Sequence, residues 1–152
     1  MRDRFKLKYT LKVYDEESLS KIVCVNAKKL EVNISDEAKS ILAAASRGTP
    51  RIANGLLEWI RDYSIAKNVV SVSADDAKEA LGLKEIGVDG STENDRRYLE
   101  FLKKQKNPIG INTIAASINI NRETIEQVIE PFWLMKGKIV KGQKGRYVVD
   151  AD

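Results

Sequence analysis

Residues 107–149 read NPIGINTIAASININRETIEQVIEPFWLMKGKIVKGQKGRYVV. Asn107-Pro108 closes a preceding helix, because a proline ring disfavours helical backbone in the residue before it. Ile111, Ile114, Ala115 and Ile118 recur at helical spacing and mark a short helix. Asn121 caps the next one, with Ile125, Val128, Ile129 and Phe132 inside and Pro131 expected to kink or end it. Lys138 to Lys141 and Arg146 to Val149 read as two strands around Gly142-Gln143-Lys144-Gly145. Upstream, Tyr98, Leu99 and Leu102 mark a helix over about 93–106. Three helices followed by a hairpin, with the second and third forming a helix-turn-helix, is the winged-helix plan.

Moving toward the N-terminus, residues 84–92 (KEIGVDGST) hold two glycines and a Ser-Thr pair and read as a linker. Before it lie four helices over about 15–83. The first carries Leu19, Ile22, Val23, Asn26 and Leu30 on one face, with Asp15, Glu16 and Glu17 in its first turn, as the helix dipole prefers. Ser35 caps the second, and Arg47-Gly48 stops it. Thr49 caps the third, with Pro50 at its first position and a stripe of Ile52, Leu56, Trp59, Ile60 and Tyr63. Ser73 caps the fourth, which stops at Gly82. Residues 5–13 alternate strictly, with Phe5, Leu7, Tyr9, Leu11 and Val13 on one face, and predict a strand. A lone strand is not stable, so this one reads as the last strand of a sheet that is otherwise missing.

Composition narrows the chemistry. The chain has 152 residues, 43% apolar and 32% charged, with 26 basic against 22 acidic side chains. The net charge of +4 is too mild to establish a nucleic-acid partner by itself. One cysteine, Cys24, excludes an intramolecular disulfide and reads as an inert thiol. The absence of histidine removes His-based zinc sites and Ser-His-Asp or Cys-His catalysis. No metal site is expected. No apolar run approaches the roughly 18–20 residues of a membrane span, and MRDRFKLKYT has no secretory h-region, so a cytoplasmic chain without a membrane partner is expected. No G-x-x-x-x-G-K-[ST] motif occurs, so the chain alone lacks a P-loop phosphate cradle.

Three features stand out electrostatically. Arg51 lies in the first turn of a helix, where a cation opposes the dipole; either it is a solvated arginine lying over a neighbouring helix or an anion sits between it and the free N–H groups. Arg2 and Arg4 flank Asp3 and are either a charged chain end or arginines reaching for a nucleotide phosphate. Residues 136–146 hold Lys136, Lys138, Lys141, Lys144 and Arg146 and no acid. A basic, glycine-flanked hairpin either is a solvated turn or follows a groove and touches phosphates, and the preceding helix-turn-helix favours DNA. The third winged helix counts against base readout, since Glu123, Glu126 and Glu130 are expected on its outer face beside Arg122 and Gln127. Trp59 and Trp133 read as core aromatics, and Asp75 and Asp76 as helix-start residues.

The run Ser46-Arg47-Gly48-Thr49-Pro50-Arg51-Ile52-Ala53-Asn54 closely resembles the sensor-2 helix of the RuvB family of Holliday junction branch-migration motors. Arg2-Asp3-Arg4-Phe5, Asp95-Arg96, Pro108-Ile109-Gly110, Thr124-Ile125-Glu126, Glu130-Pro131-Phe132 and Lys144-Gly145-Arg146 also resemble family segments, in order and at matching spacing. The resemblance implies a mostly α chain: residues 1–14 the last strand of a missing ATPase subdomain, 15–88 a helical AAA+ lid, and 89–152 a winged-helix DNA-binding domain. It implies that Arg51, with Pro50, contacts ATP phosphates, that Arg4 is an arginine finger acting in trans, and that Lys141, Lys144 and Arg146 track the DNA backbone. It also implies ATP with magnesium as the cofactor of the parent motor, a RuvA-like partner, duplex or four-way DNA, and a homo-hexamer. Without Walker motifs this chain alone is expected to bind no nucleotide tightly and to hydrolyse nothing.

The chain departs from the family pattern at several points. Gly55 replaces an arginine, Glu58-Trp59 a basic pair, Gly142-Gln143 the wing's Thr-Pro, and Lys141 and Lys144 two arginines, which costs bidentate phosphate contacts. The missing ATPase core is read either as a fragment of a longer motor or as a truncated relative. The alternative function is a non-enzymatic winged-helix DNA-binding or regulatory module.

Overall fold

The computed structural model describes residues 13–149. The expected strand at 5–13, apart from Val13, and the candidates Arg2 and Arg4 lie outside the described residues. The chain divides into two compact units, the first ending at Ala80 and the second beginning at Leu81.

The first unit is helical, with α1 (Glu16–Lys29), α2 (Asp36–Ala45), α3 (Pro50–Lys67) and most of α4 (Ala74–Gly82). Each start has a local cause. Asp15 accepts the Ser18 N–H at 2.7 Å and Ser35 accepts the Ala38 N–H at 3.2 Å. At α4, the Ser73 hydroxyl accepts the Asp76 N–H at 3.2 Å while Asp76 accepts the Ser73 N–H at 2.8 Å, a reciprocal capping box that employs the acid expected at that helix start. Leu19 and Val23 of α1, Leu42 of α2 and Leu57 and Ile60 of α3 are out of solvent and form the core. Ile52, expected in the α3 stripe, is 39% exposed, and Ala53 takes the buried place beside it. A parallel bridge between Ile34 and Val72 ties the loop before α2 to the loop before α4.

Between α2 and α3 the backbone turns left-handed twice, at Arg47 (φ 51°) and Gly48 (φ 71°). Gly48 O accepts the Tyr14 N–H at 3.0 Å, and a Cβ on Gly48 would stand 2.7 Å from Val13 Cβ. Only glycine combines that conformation with that contact.

The second unit contains α5 (Glu93–Lys103), α6 (Ile111–Ile118), α7 (Arg122–Thr124), a π-helical turn (Ile125–Ile129), α8 (Glu130–Met135), β1 (Ile139–Gly142) and β2 (Gly145–Val148). The α5 helix stops at Lys103, short of the expected 106. Residues 84–92 form an ordered loop: Gly87 N–H donates to Ser91 O at 2.7 Å, and Asp89 accepts from both the N–H and hydroxyl of Ser91. Arg96 fastens this loop to α5 through the carbonyls of Ser91 and Glu85, each at 3.2 Å.

Pro131 neither ends nor breaks the third long helical segment of this unit, which runs from α7 through the π turn to α8. The Glu130 N–H bonds to Ile125 O, five residues back, and the wide turn carries the helix past a residue that has no N–H. The core gathers Tyr98 and Leu102 of α5, Ile114 of α6, Ile125 and Ile129 of the π turn, and Phe132 of α8. Trp133 joins it and donates through Nε1 to Asp95 O at 3.0 Å. The hairpin pairs Ile139 with Val148, Val140 with Tyr147, Lys141 with Arg146 and Gly142 with Gly145, so the connecting turn is Gln143-Lys144. A further antiparallel bridge joins Arg146 to Ile109, with both N–H···O bonds made at 3.0 and 2.8 Å.

Candidate nucleic-acid interface and anion site

Thr49 does not cap α3 as its type and position suggest. Its hydroxyl donates to Arg47 O at 3.3 Å, and no side chain caps the first turn. Pro50 occupies the first helical position and removes one of the donors, and no acidic residue stands in that turn. Arg51 is exposed there and makes no ion pair among the described residues. Free N–H groups at the positive end of a helix beside an exposed guanidinium suit an anion such as a phosphate. Gly55, one turn further on, is exposed with nothing within 4 Å of where a side chain would begin.

The second unit contains a charge network that no local sequence pattern marks. Glu130 is 2% exposed, and its Oε1 accepts from Arg146 Nε at 2.7 Å and from the Tyr98 hydroxyl at 3.2 Å. Lys141 Nζ stands 3.5 Å from Oε2. The carboxylate therefore joins α5, α8 and both wing strands. Burial first, and then the Glu130 charge beside it, push the Tyr98 hydroxyl well above its ordinary pKa near 10.

Two expectations are corrected here. Glu130 does not face outward beside Glu126. A helical count that assumes α geometry places both on one row, whereas the π turn between them rotates Glu130 about the axis into the core. Arg146 does not belong with the solvated wing cations, because its side chain is 10% exposed and held against Glu130, with Glu126 at 3.6 Å. The one local signal is an acid directly beside a core hydrophobic, in Ile129-Glu130.

Of the remaining expected contacts, Lys141 is half-exposed on the face that carries Arg146, and Lys144 lies in the exposed turn. Lys138 is exposed as well, and neither Lys138 nor Lys144 has an ion pair among the described residues. Lys136 stands 5.9 Å from the centre of the Phe132 ring. On the outer face of α7 and the π turn, Arg122 pairs with Glu126 at 3.2 Å and partly neutralises it, and the uncharged Gln127 amide donates to Glu123 at 3.0 Å. The Arg122 hydrogen bond holds the Glu126 carboxyl below its ordinary value. Among the described residues, no group of three or more His, Cys, Asp or Glu side chains is placed to hold a metal. No described helix is long and apolar enough to cross a membrane.

Family models match along the described chain in the same order as these two units. The RuvB AAA lid domain matches residues 14–89, and the RuvB C-terminal winged helix domain matches residues 88–151. The chain belongs to the RuvB family. RuvB of Bdellovibrio bacteriovorus, named as a Holliday junction branch migration complex subunit, is 42% identical over 153 residues, covering 98% of this chain and 46% of that protein. RuvB of Campylobacter fetus, named likewise, is 40% identical over 149 residues, covering 96% of this chain and 43% of that protein. Thermotoga maritima RuvB, described as a Holliday junction branch migration motor, superposes with a TM-score of 0.89 at 30% identity, over 98% of this chain and 51% of the solved one. The chain thus spans about half the length of the RuvB proteins it matches. The mostly helical lid followed by a winged helix agrees with the fold expected from the sequence.

Proposed function

We propose that this chain is the lid and DNA-binding part of a RuvB-type, ATP-dependent Holliday junction branch-migration motor. The observation that carries this reading is the wing itself: Lys141 and Lys144 belong to a hairpin fastened next to its turn by the Glu130–Arg146 pair, and Lys138 is exposed just before β1. Cations on a rigid support follow phosphates without reading bases, so binding is weak in sequence preference and steep in salt. Arg146 then acts as the wing's anchor, positioning Lys141 and Lys144 for the backbone.

In the lid, Arg51 and the N–H groups behind Pro50 hold nucleotide phosphates. ATP with magnesium supplies the driving reaction in the assembled motor. The arginine finger is assigned to Arg4, which lies outside the described residues. A homo-hexamer, a RuvA-like partner, four-way or duplex DNA and a cytoplasmic setting belong to this reading. Alone, the chain hydrolyses no ATP.

A gel-shift titration with duplex and four-way DNA tests it. Lys138→Ala/Lys141→Ala/Lys144→Ala is expected to lose affinity steeply and to flatten the salt dependence by about 0.9 in log–log slope per lost phosphate contact. Parent-like binding by that variant would remove the wing from the interface.

The inward turn of Glu130 favours a second reading, a sequence-selective winged-helix module without motor function. It leaves Glu123 and Glu126 as the outward acids of the helix, both engaged by neighbours. A strong preference for one duplex sequence, abolished by Gln127→Ala, would select that reading.

A further inference from the structure

The strand β1 has an open edge. The Arg146 N–H donates to Ile109 O at 2.8 Å and the Arg146 carbonyl accepts from the Ile109 N–H at 3.0 Å, so both groups turn away from Lys141, the residue paired with Arg146 across the hairpin. Directly opposed residues of an antiparallel pair exchange both bonds or neither. Lys141 therefore turns its own N–H and carbonyl to the other side of β1, where no strand pairs with it among the described residues. Val140, Lys141 and Gly142 are all exposed, so a partner can reach this edge. The strand has no proline and no bulge to block pairing.

Strand alternation sorts the side chains along the edge into two kinds. On one face, Val140 and its cross-strand partner Tyr147 are 37% and 43% exposed. Tyr147 Cε1 lies over Gly142, 3.7 Å from where a side chain would begin there, so apolar surface extends from β2 onto β1. On the other face, Lys141 is half-exposed. Glu130 stands 3.5 Å from Lys141 but is already served by Arg146 and Tyr98, and Glu126 is paired with Arg122. The Lys141 ammonium thus keeps donors for a second acid. Lys138 and Lys144 are exposed on either side of it in the sequence, and residues 136–146 contain no acid.

Charge decides the occupant. A second copy pairing edge to edge would bring two sets of lysines together, which is unfavourable across strands. Duplex backbone offers acceptors alone and leaves the Lys141 carbonyl and the apolar face unused. An extended peptide that alternates acidic with apolar residues satisfies all three: its backbone pairs with Lys141, its acids meet the lysines, and its apolar side chains lie beside Val140 and Tyr147.

We propose that the open edge of β1 is a docking site for an extended acidic segment of a partner protein, which adds antiparallel to the hairpin as a further strand. The inference does not rest on the wing's contact with DNA: it is read on the peptide, and duplex binding can hold or fail without changing that result.

The probe is a labelled, end-blocked octapeptide of alternating Val and Glu, titrated into the full chain by fluorescence anisotropy and amide NMR. At saturation the Lys141 N–H is expected to exchange about tenfold more slowly. In an antiparallel addition the residue opposite Lys141 shares its face and points its own N–H at the edge, so that residue is a Glu. N-methylation of the Glu residues is expected to weaken binding about tenfold, and N-methylation of the Val residues by less than about twofold. Any other pattern would overturn the strand addition. An octapeptide of alternating Val and Lys and an octaglutamate are each expected to bind at least about tenfold more weakly; parent-like binding by either would overturn the acidic, apolar occupant. Val140→Thr/Tyr147→Thr keeps strand propensity and is expected to weaken the Val-Glu peptide about tenfold, and Lys141→Gln about threefold. Parent-like affinity in both variants would overturn the site. Slower Lys141 exchange with a short duplex, and not with the peptide, would assign the edge to DNA and overturn it as well. A thermal melt of each variant by circular dichroism checks that the exposed substitutions leave the fold intact.

Discussion

Arg146 on β2 donates through Nε to Glu130 Oε1 at 2.7 Å, and both side chains lie almost entirely out of solvent. Removing one member leaves the other buried with only a longer, partly exposed partner, Lys141 at 3.5 Å for Glu130 or Glu126 at 3.6 Å for Arg146. Glu130→Ala and Arg146→Ala are each expected to cost about 3–5 kcal/mol in winged-helix stability. Urea denaturation followed by tryptophan fluorescence reports this, since Trp133 lies in the same core. By contrast, Lys144→Ala should be nearly neutral for stability, because it is an exposed turn residue away from that pair. Equal stability losses for Arg146 and Lys144 variants would contradict the anchor.

Tyr98 makes the same network sensitive to alkali. Its folded pKa lies above the ordinary value near 10, so the unfolded chain releases this proton first as pH rises. The stabilisation is fully present below about pH 10 and declines above it. Tyr98→Phe is expected to lose about 1 kcal/mol at neutral pH with the hydroxyl–Glu130 hydrogen bond, and to show a shallower decline above pH 10. A pH series of denaturation midpoints for both proteins checks the sign. An identical alkaline slope would exclude Tyr98 as its source.

Gly145 joins the hairpin to the body of its domain. Its φ is 138°, and a Cβ there would fall 2.5 Å from Ile109 O and 2.8 Å from Ile109 N. Gly145→Ala must therefore push β2 from Ile109 and break the bridge to Arg146. We expect a loss of about 2 kcal/mol or more and faster amide exchange at Ile109 and Arg146. Gly142→Ala is the control, since its Cβ would meet neighbours only at 3.7 Å.

Gly55 offers the opposite outcome. It lies inside α3, exposed, with open space on its side-chain side. Gly55→Ala is expected to raise lid stability by about 0.5–1 kcal/mol, measured by thermal melting. Gly55→Arg restores the cation of the family pattern one turn from Arg51, and should increase stabilisation of the lid by added pyrophosphate. Arg51→Ala should remove that response. Stabilisation unchanged across parent, Gly55→Arg and Arg51→Ala would rule out the α3 terminus as an anion site.

Much of the architecture was readable from local signals. Ser35, Ser73 and Asn121 mark helix starts because a short polar side chain satisfies nearby N–H groups, an interaction contained within a few residues. The apolar spacing of Ile111, Ile114 and Ile118 marked a core-facing helix for a comparable reason. Local signals fail where a distant segment or a competing bond intervenes. Thr49 has a capping residue's identity, yet its hydroxyl goes to Arg47 O in a left-handed turn that Val13 helps to shape. Glu130 and Arg146 look like two of many surface charges.

Helix starts, the hairpin, the one-signed charge of residues 136–146 and the order of the two domains are legible along the chain, since periodicity, capping and glycine placement act within a few residues. Which charges remain available depends on contacts between distant segments. A wide turn before Pro131 rotates Glu130 inward, and a strand sixteen residues later delivers Arg146 to it. Only the folded chain brings those groups together, so only it separates the anchor of the wing from the lysines that face solvent.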